Sequence, residues 1–277
     1  MFGKIEPKVI TKTEGNKDFL EPWGTHFTEG HLYVTDPKAH KVYAFGRKNF
    51  GLLRTIPCQE ETEEPFPKGV TFNSKKDLFI VMSNLGEIHK FPDNEEKIKF
   101  GSSGSGPTQL KDPHGIAIGP QDEIIVADTE NHRIQIFDID GNHVRGFGKK
   151  GSQNGEFINP TCVAVCKSVI AVSDRDNHRI QFFNMDGTYK SHFGQFGTEP
   201  GKFNEPIGIA FDCQGNLIVV DSKNHRVQIF NQTGKLLHYF GDQNLFNLPT
   251  LVSVDPISRR IAVVDTKNKR VQVFPLE

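Results

Sequence analysis

Basic and aromatic side chains alternate through the middle of the sequence, between residues 149 and 225, in a pattern that suits ligand binding. Lysine and arginine can hold phosphates, and aromatic rings can stack on nucleobases. The candidate binding residues are Lys149, Lys150, Phe157, Asn159, Arg175, His178, Phe196, Lys202, Phe203, Lys223 and His225. Phe157 and Phe203 have a structural alternative, because each lies in the phrase Gly-x-Phe-x-x-Pro and would tuck a linker onto the core.

No residue set has the spacing of a catalytic or metal-binding site. The polar residues His26, Lys68 and His114 interrupt segments that are otherwise mostly Gly, Ala, Ile, Val and Phe, and they are too scattered to form a ligand set. The cysteines lack zinc-binding spacing and are interpreted as small buried thiols of a reducing cytosol. They are Cys58, Cys162, Cys166 and Cys213. We therefore predict no catalytic residue, no metal and no cofactor.

The composition excludes several function classes. The 277 residues contain 33 Lys+Arg and 34 Asp+Glu, a formal net charge of -1 that gives no global footprint for nucleic acid or an anionic membrane. No apolar run approaches the roughly 20 residues of a membrane span, and the N-terminal residues lack a signal-peptide core. We expect a soluble, cytoplasmic protein.

An internal repeat determines the architecture. The phrase Asp-x-x-Asn-x-Arg-(Ile/Val)-Gln-x-Phe occurs four times, with its Asp residues 46, 47 and 44 positions apart. These copies begin at Asp128, Asp174, Asp221 and Asp265. Two degenerate copies, which keep only part of the phrase, begin at Asp36 and Ser83. A Pro-x-Gly-like phrase precedes every copy. Six units fill residues 1–277 as one domain.

Each unit contains four short β-branched and aromatic segments, which we label strands a to d. Four-stranded units at a period near 45 residues are typical of a β-propeller. The predicted fold is therefore an all-β, six-bladed propeller of antiparallel blades. The last unit lacks strand d, so we expect residues 8–13 to pair beside residues 271–274 and close the ring.

The repeated polar residues favour a structural role. Asp128 ends strand b and Arg133 opens strand c, which predicts an ion pair across the turn, with Asn131 as its left-handed residue. Gly115, Cys162 and Gly208 share one register of strand a, and their small size would leave room for the neighbouring unit.

These phrases resemble the NHL repeat, as do the Phe-Gly pairs that end strand d. The pairs are Phe100-Gly101, Phe147-Gly148, Phe193-Gly194 and Phe240-Gly241. The likeness covers essentially the whole chain and is most similar to the six-bladed propeller of tripartite-motif NHL proteins. Those proteins are ubiquitin ligases in which the propeller recognises RNA or protein. The resemblance implies a target-recognition propeller. The sequence contains no RING domain, so we expect no ubiquitin ligase activity from these residues.

The b–c turns and d–a linkers of all units should open on one side, which we call the loop-rich face. Its b–c turns carry a summed charge of +2 and its d–a linkers −7, with Glu60, Glu61, Glu63 and Glu64 forming an acidic loop. Because affinity for RNA depends on phosphate neutralisation, a face at −5 disfavours RNA over its whole area.

The predicted function is non-catalytic recognition of a protein segment on the loop-rich face. Single-stranded or hairpin RNA in post-transcriptional regulation is the alternative that the resemblance supports. The third hypothesis is a hydrolase or lyase with a metal in the axial channel. We expect a monomer that binds neither membrane nor DNA.

Overall fold

Short runs of valine, isoleucine and phenylalanine, bounded by Gly, Asp and Asn, fold into strands joined by tight turns. The structure is a computed structural model that describes residues 7–13, 15, 17–59, 63–92 and 96–276. These residues form six sheets of four antiparallel strands, which confirms the predicted six-bladed propeller. Helical segments in this part of the chain are short 3-10 turns, and none has the length or apolar character to cross a membrane.

The strands follow one another from the axis outwards in blades 1 to 5. Blade 1 contains β2 (Thr25–Phe27), β3 (His31–Asp36), β4 (Lys41–Gly46) and β5 (Leu52–Pro57). Blade 2 contains β6 (Pro67–Phe72), β7 (Leu78–Met82), β8 (Glu87–Phe91) and β9 (Ile98–Gly101). Blade 3 contains β10 (Pro113–Ile118), β11 (Ile124–Asp128), β12 (Arg133–Phe137) and β13 (His143–Phe147). Blade 4 contains β14 (Pro160–Cys166), β15 (Val169–Asp174), β16 (Arg179–Asn184) and β17 (Tyr189–Phe193). Blade 5 contains β18 (Pro206–Phe211), β19 (Leu217–Asp221), β20 (Arg226–Phe230) and β21 (Leu236–Phe240).

Blade 6 draws its strands from both ends of the described chain. It contains β22 (Val252–Val254), β23 (Arg260–Asp265), β24 (Arg270–Pro275) and β1 (Lys8–Ile10), in the order β1-β24-β23-β22. Lys8 pairs with Val273 and Ile10 with Val271, so β1 supplies the outer strand that the last unit lacks. The predicted closure is confirmed, and it covers the edge of β24 that would otherwise be exposed.

The innermost strands approach one another closely around the axis. A Cβ added to Gly115 would lie 2.7 Å from the Cα of Cys162, and one added to Gly208 would lie 2.5 Å from the carbonyl oxygen of Thr250. The small residues of this register therefore make room for the backbone of the next blade, rather than for bulky side chains. An axial channel of about 290 Å³ runs between these strands.

The chain connections place two kinds of loop on two faces. The b–c turns and the d–a linkers form the loop-rich face, and the a–b and c–d turns form the opposite face. In the predicted c–d turns, Gly141, Gly187 and Gly234 have φ values of 87°, 88° and 78°, as hairpin turns require. Part of the predicted acidic loop, residues 60–62, lies outside the described residues.

Candidate functional site

The repeated ion pair anchors each regular b–c turn of the loop-rich face. In blade 4 the buried Asp174 carboxylate accepts hydrogen bonds from Arg179 Nε at 2.7 Å, Asn177 Nδ2 at 2.9 Å and Gln181 Nε2 at 3.0 Å. Its other oxygen accepts the backbone N–H of Ile158 at 2.8 Å, in the preceding linker. The predicted charge-assisted pair is present, and it also ties the linker to the turn.

The residue with left-handed backbone in these turns is histidine in blades 3 to 5 and Lys269 in blade 6, which corrects the prediction for Asn131. Asn131 is the last residue of a 3-10 turn and donates to Asp128, whereas His132 has a φ of 55°. His178 and His225 occupy the same position with φ values of 54° and 53°. Asparagine is placed before the left-handed residue because its amide is needed by the buried carboxylate.

The same histidines hold the next linker. The Nδ1 atom of His178 accepts the backbone N–H of Glu205 at 3.1 Å, and that of His225 accepts the N–H of Leu248 at 3.3 Å. An Nδ1 that accepts leaves the ring proton on Nε2, so only that edge of each ring can donate to a ligand. These two predicted site residues therefore have a structural role on one side of the ring.

Phe157 and Phe203 belong to the core rather than to a binding surface. Neither has any exposed surface. Phe157 packs against Phe183 with ring centroids 5.5 Å apart, and Phe203 packs against Phe230 at 5.4 Å. Because both rings fill the space between blades, they offer no face for stacking, which corrects their assignment as ligand-binding residues and supports the structural alternative.

Phe196 is the predicted aromatic residue that remains on the surface. Its side chain is 65% exposed and lies against His178, with ring centroids 4.9 Å apart. Two further apolar side chains stand on the linkers of this face, Leu20 at 50% exposure and Phe66 at 40%. Phe66 stacks on His40 at 5.7 Å, so an exposed ring backed by a turn histidine occurs twice.

Most basic side chains of the loop-rich face are paired with carboxylates of the same face. Among the predicted residues, Lys149 lies 3.3 Å from Glu156, and Lys202 lies 3.2 Å from Glu199. The pairs Lys223–Glu205, Arg175–Asp176, Lys111–Glu130, Lys38–Glu21 and Lys267–Glu21 follow the same arrangement. Lys150 is exposed and has no ion pair in the described part of the chain.

Asn159 and Arg175 meet on one carboxylate. Asn159 Nδ2 donates to Asp176 at 2.6 Å, and Arg175 Nε donates to the same side chain, also at 2.6 Å. Hydrogen bonds and charge from Arg175 hold the pKa of Asp176 below its usual value against the effect of burial. These two residues therefore form one polar unit, with a negative group at its centre.

A half-buried polar cluster lies where the axis opens on the loop-rich face. Lys68 Nζ donates to Asp112 Oδ1 at 2.8 Å and contacts His114 Nε2, and that Nε2 lies 2.9 Å from Asp112 Oδ2. Trp23 covers the cluster, with its ring 5.0 Å from His114 and 5.7 Å from the Lys68 ammonium. The prediction that these groups are scattered is therefore wrong for Lys68 and His114 and right for His26, which lines the channel towards the opposite face.

The electrostatics of the cluster follow from burial and pairing. Burial lowers the pKa of His114 to about 4, so the ring is neutral at physiological pH. Although burial opposes it, hydrogen bonds from His114 and Lys68 hold the pKa of Asp112 well below its usual range. The Nδ1 atom of His114 is buried and has no hydrogen-bond partner among the described residues.

Sequence reasoning missed this cluster because its members are contributed by three blades. Trp23, Lys68 and His114 are equivalent residues, each the first after the proline that opens a strand a. Their counterparts in blades 4 to 6 are Thr161, Ile207 and Thr250. A comparison of the six units position by position could have found the cluster. Equivalent residues of the six blades surround the same axial opening, so polar or aromatic residues at this position in several blades lie close together. Among the described residues, no group of three or more His, Cys, Asp or Glu could hold a metal.

The comparisons with known proteins agree with the repeat. The NHL repeat matches residues 110–137 and 203–230. Protein brain tumor of Drosophila melanogaster is 44% identical over 70 residues, which are 25% of this chain and 7% of that protein. Protein lin-41 of Caenorhabditis elegans is 47% identical over 47 residues, 17% of this chain and 4% of its own length. The matches thus span less than a tenth of these relatives.

Solved structures share the fold over nearly the full chain. A gluconolactonase from Xanthomonas campestris has a TM-score of 0.73 at 14% identity, covering 98% of this chain and 90% of its own. Virginiamycin B lyase from Staphylococcus aureus has a TM-score of 0.68 at 15% identity, covering 99% and 89%. At such identities the likeness concerns the architecture alone.

The six closed blades define a β-propeller, and two of its segments match the NHL repeat. The chain contains NHL repeats, and its predicted similarity to the tripartite-motif NHL proteins is confirmed over the segments that these relatives match.

Proposed function

We propose that this propeller is a non-catalytic recognition module that binds a protein segment on its loop-rich face, as the target-recognition part of a ubiquitin ligase system. The ion pairs of that face carry the proposal. A phosphate that approaches Lys149, Lys202 or Lys223 also meets the carboxylate paired with it. A protein segment can instead match both signs of charge.

Exposed apolar side chains supply the anchors that such an interface needs. Protein interfaces concentrate their binding energy in a few aromatic residues surrounded by polar groups. Phe196 is the most exposed large apolar residue described, and Phe66 and Leu20 stand on the linkers of the same face. The cluster of Trp23, Lys68 and His114 at the axis offers a further polar and aromatic contact.

Selection of peptides from a displayed random library on the purified propeller tests the proposal. Enriched peptides should bind Phe196→Ala at least tenfold more weakly, because the variant removes the exposed ring. Leu237→Ala is the matched control, since Leu237 is 50% exposed on the outer strand of blade 5 and should leave binding unchanged. The proposal is overturned if no peptide is enriched, or if enriched peptides bind Phe196→Ala as well as the unmodified protein.

RNA is the second candidate, and the exposed, unpaired Lys150 beside Lys149 is the observation that favours it. We expect single-stranded and hairpin RNA to be released at low salt. Retention that falls steeply with salt and is lost in Lys149→Glu/Lys150→Glu would replace the protein proposal with RNA recognition.

The third hypothesis, a hydrolase or lyase with a metal in the axial channel, requires a bound metal. Elemental analysis of the purified protein should give no stoichiometric calcium or zinc, and a stoichiometric metal would overturn the non-catalytic assignment. The proposal also places the protein in the cytoplasm as a monomer. Its described cysteines are free, and burial raises the pKa of Cys58 to about 12 and that of Cys162 to about 11, which keeps both thiols protonated.

A further inference from the structure

A cleft of about 760 Å³ opens on the opposite face, between blades 1 and 2. Its walls come from the a–b turns of both blades, from β5 and from the end of β8. Its volume falls in the range of small-molecule sites, roughly 300 to 1,000 Å³. His26 and Phe72 also line the axial channel, so the cleft and the channel adjoin.

Two departures from the repeat explain why the cleft is there. At the four junctions from blades 2–3 to blades 5–6, a Phe from strand d packs on the Phe that ends the next strand c, as Phe193 does on Phe230 at 4.6 Å. At the junction of blades 6 and 1 the equivalent residue is Ile10. In blade 1 the equivalent residue is Ile56, which pairs with Val42 as Phe193 pairs with Ile180. A branched aliphatic side chain replaces a ring, and the space beside Phe91 is left open.

The second departure is His26, which stands where blades 3 to 5 have alanine. The equivalent residues are Ala117, Ala164 and Ala210. An imidazole at this register places two nitrogen atoms at the inner end of the cleft. Burial lowers the pKa of His26 to about 4, so at physiological pH the ring is neutral and can both donate and accept.

The cleft collects polar side chains that have no partner in the described part of the chain. His26, Tyr33 and Arg54 line it, and none of the three makes a side-chain hydrogen bond or ion pair with the described residues. On the loop-rich face, by contrast, cations are matched by carboxylates. Unpaired donors that converge on a cavity are the pattern of a ligand site, because a bound molecule supplies the missing partners.

Aromatic rings form one wall of the cleft. Tyr33 and Phe72 lie 4.6 Å apart, and His26 lies 5.7 Å from Phe72. His31 adds a ring 5.8 Å from Tyr33. Such a wall favours a planar, aromatic ligand, since offset stacking adds to the gain from burying apolar surface.

The charges at the rim favour an anion. Arg54 and Lys76 line the cleft as exposed cations, and Glu29 is the carboxylate among its lining residues. A guanidinium without a protein partner can hold a carboxylate or phosphate through two parallel hydrogen bonds.

We propose that the cleft between blades 1 and 2 binds a small ligand in which a planar aromatic ring carries an anionic group. The ring packs against Tyr33 and Phe72, the anionic group pairs with Arg54, and His26 hydrogen-bonds to a polar ring atom. A nucleotide and an aromatic carboxylic acid both have this chemistry. The site is separate from the loop-rich face and independent of the function proposed for that face.

Titration with two probes tests the proposal, with adenosine 5′-monophosphate for the nucleotide and 1-naphthoate for the aromatic acid. Calorimetry and the NMR signals of the His26 and His31 rings report binding. We expect a dissociation constant below about 1 mM for at least one probe. Adenosine, which lacks the anion, and ribose 5-phosphate, which lacks the ring, should bind at least tenfold more weakly than the nucleotide if the nucleotide is the probe that binds.

Variants locate the site. Arg54→Gln should weaken binding of the successful probe at least tenfold, and because Arg54 is exposed the variant should fold normally. Lys75→Gln is the matched control, since Lys75 is an exposed cation outside the cleft lining. The proposal is overturned if neither probe binds, or if Arg54→Gln binds as tightly as the unmodified protein. Binding of one probe alone identifies which source of the chemistry fits.

Discussion

The junction between blades 4 and 5 and the junction between blades 1 and 2 share a backbone arrangement and differ in their contents. At the first, Phe193 packs on Phe230 at 4.6 Å and on Phe203 at 5.9 Å, and the space between the sheets is filled. At the second, Ile56 replaces the ring and a cleft of about 760 Å³ remains. At these two junctions, the repeated phenylalanine fills the space between the blades, and the residue that departs from the repeat borders an open cleft.

The b–c turns show the same contrast. In blade 4, Asp174 and Arg179 hold the turn and the linker together, whereas blade 2 has Ser83 and Glu87 at the equivalent positions. Ser83 Oγ instead donates to Asp112 at 2.6 Å and supports the polar cluster at the axis. A position released from the structural ion pair has thus become part of a candidate site.

The largest expected effect is the loss of the carboxylate in a regular turn. Asp174→Ala leaves the buried Arg179 guanidinium without its counter-charge, so we expect a loss of about 3–5 kcal/mol in the free energy of unfolding, measured with urea. Ser83→Ala, in the degenerate turn of blade 2, removes one hydrogen bond and should lower the free energy of unfolding by about 1–2 kcal/mol. Equal losses of unfolding free energy in the two variants would contradict the contrast between regular and degenerate turns.

The next largest effect is the pH dependence caused by His26. Because burial lowers its pKa to about 4 from 6.5, the folded state binds fewer protons than the unfolded state between these values. Its contribution is complete above about pH 6.5 and falls by about 3 kcal/mol as the pH is lowered to 4.

His26→Ala restores the residue of the regular blades and should remove that part of the pH dependence. The measurement is the difference in unfolding free energy between the variant and the unmodified protein at pH 7, 5.5 and 4. Parallel profiles would show that the folded state does not hold His26 neutral.

Substitutions at the two equivalent junction positions, Phe193 and Ile56, should give a smaller effect on stability and a sharp effect on binding. Phe193→Ala should cost about 2–3 kcal/mol, because it removes a partly buried ring contact. Ile56→Phe directs a ring into the open cleft, so its unfolding free energy should stay within about 1.5 kcal/mol of the unmodified value. The same variant should lose binding of the successful small-molecule probe, and retained binding would place that ligand elsewhere.

The smallest effect is expected on the rim of the loop-rich face. Lys149→Ala breaks an exposed ion pair with Glu156, and such pairs contribute at most about 0.5–1 kcal/mol. A urea titration should find no larger change. A loss above about 2 kcal/mol would show that the rim pairs stabilise the linkers and are not merely a property of the binding surface.

The architecture was predictable because each unit marks its own b–c turn with an Asp and an Arg at fixed spacing. That spacing also located the missing strand, and β1 pairs with β24 as expected. Local phrases suffice when every contact they encode lies within one unit or between neighbours.

The sites were less predictable because they depend on contacts between residues of different units. Lys68 and His114 are 46 positions apart and meet only because equivalent residues surround one axis. The burial of Phe157 and Phe203 was available as an alternative, since both lie in a repeated phrase. The cleft depends on a ring that is missing at residue 56, and an absence becomes visible only when the neighbouring sheets are in place.

The closing strand also determines how the ring would respond to mechanical load. Because β1 runs antiparallel to β24 and Lys8 lies beside Val273, the chain leaves the sheet at residues 7 and 276 on the same side. Tension between those two points acts on the backbone hydrogen bonds between β1 and β24 in succession rather than together. Blade 6 would then separate at low force by loss of the β1–β24 pairing, while the other five blades keep their strand pairing. Under load, the ring would therefore open first between β1 and β24.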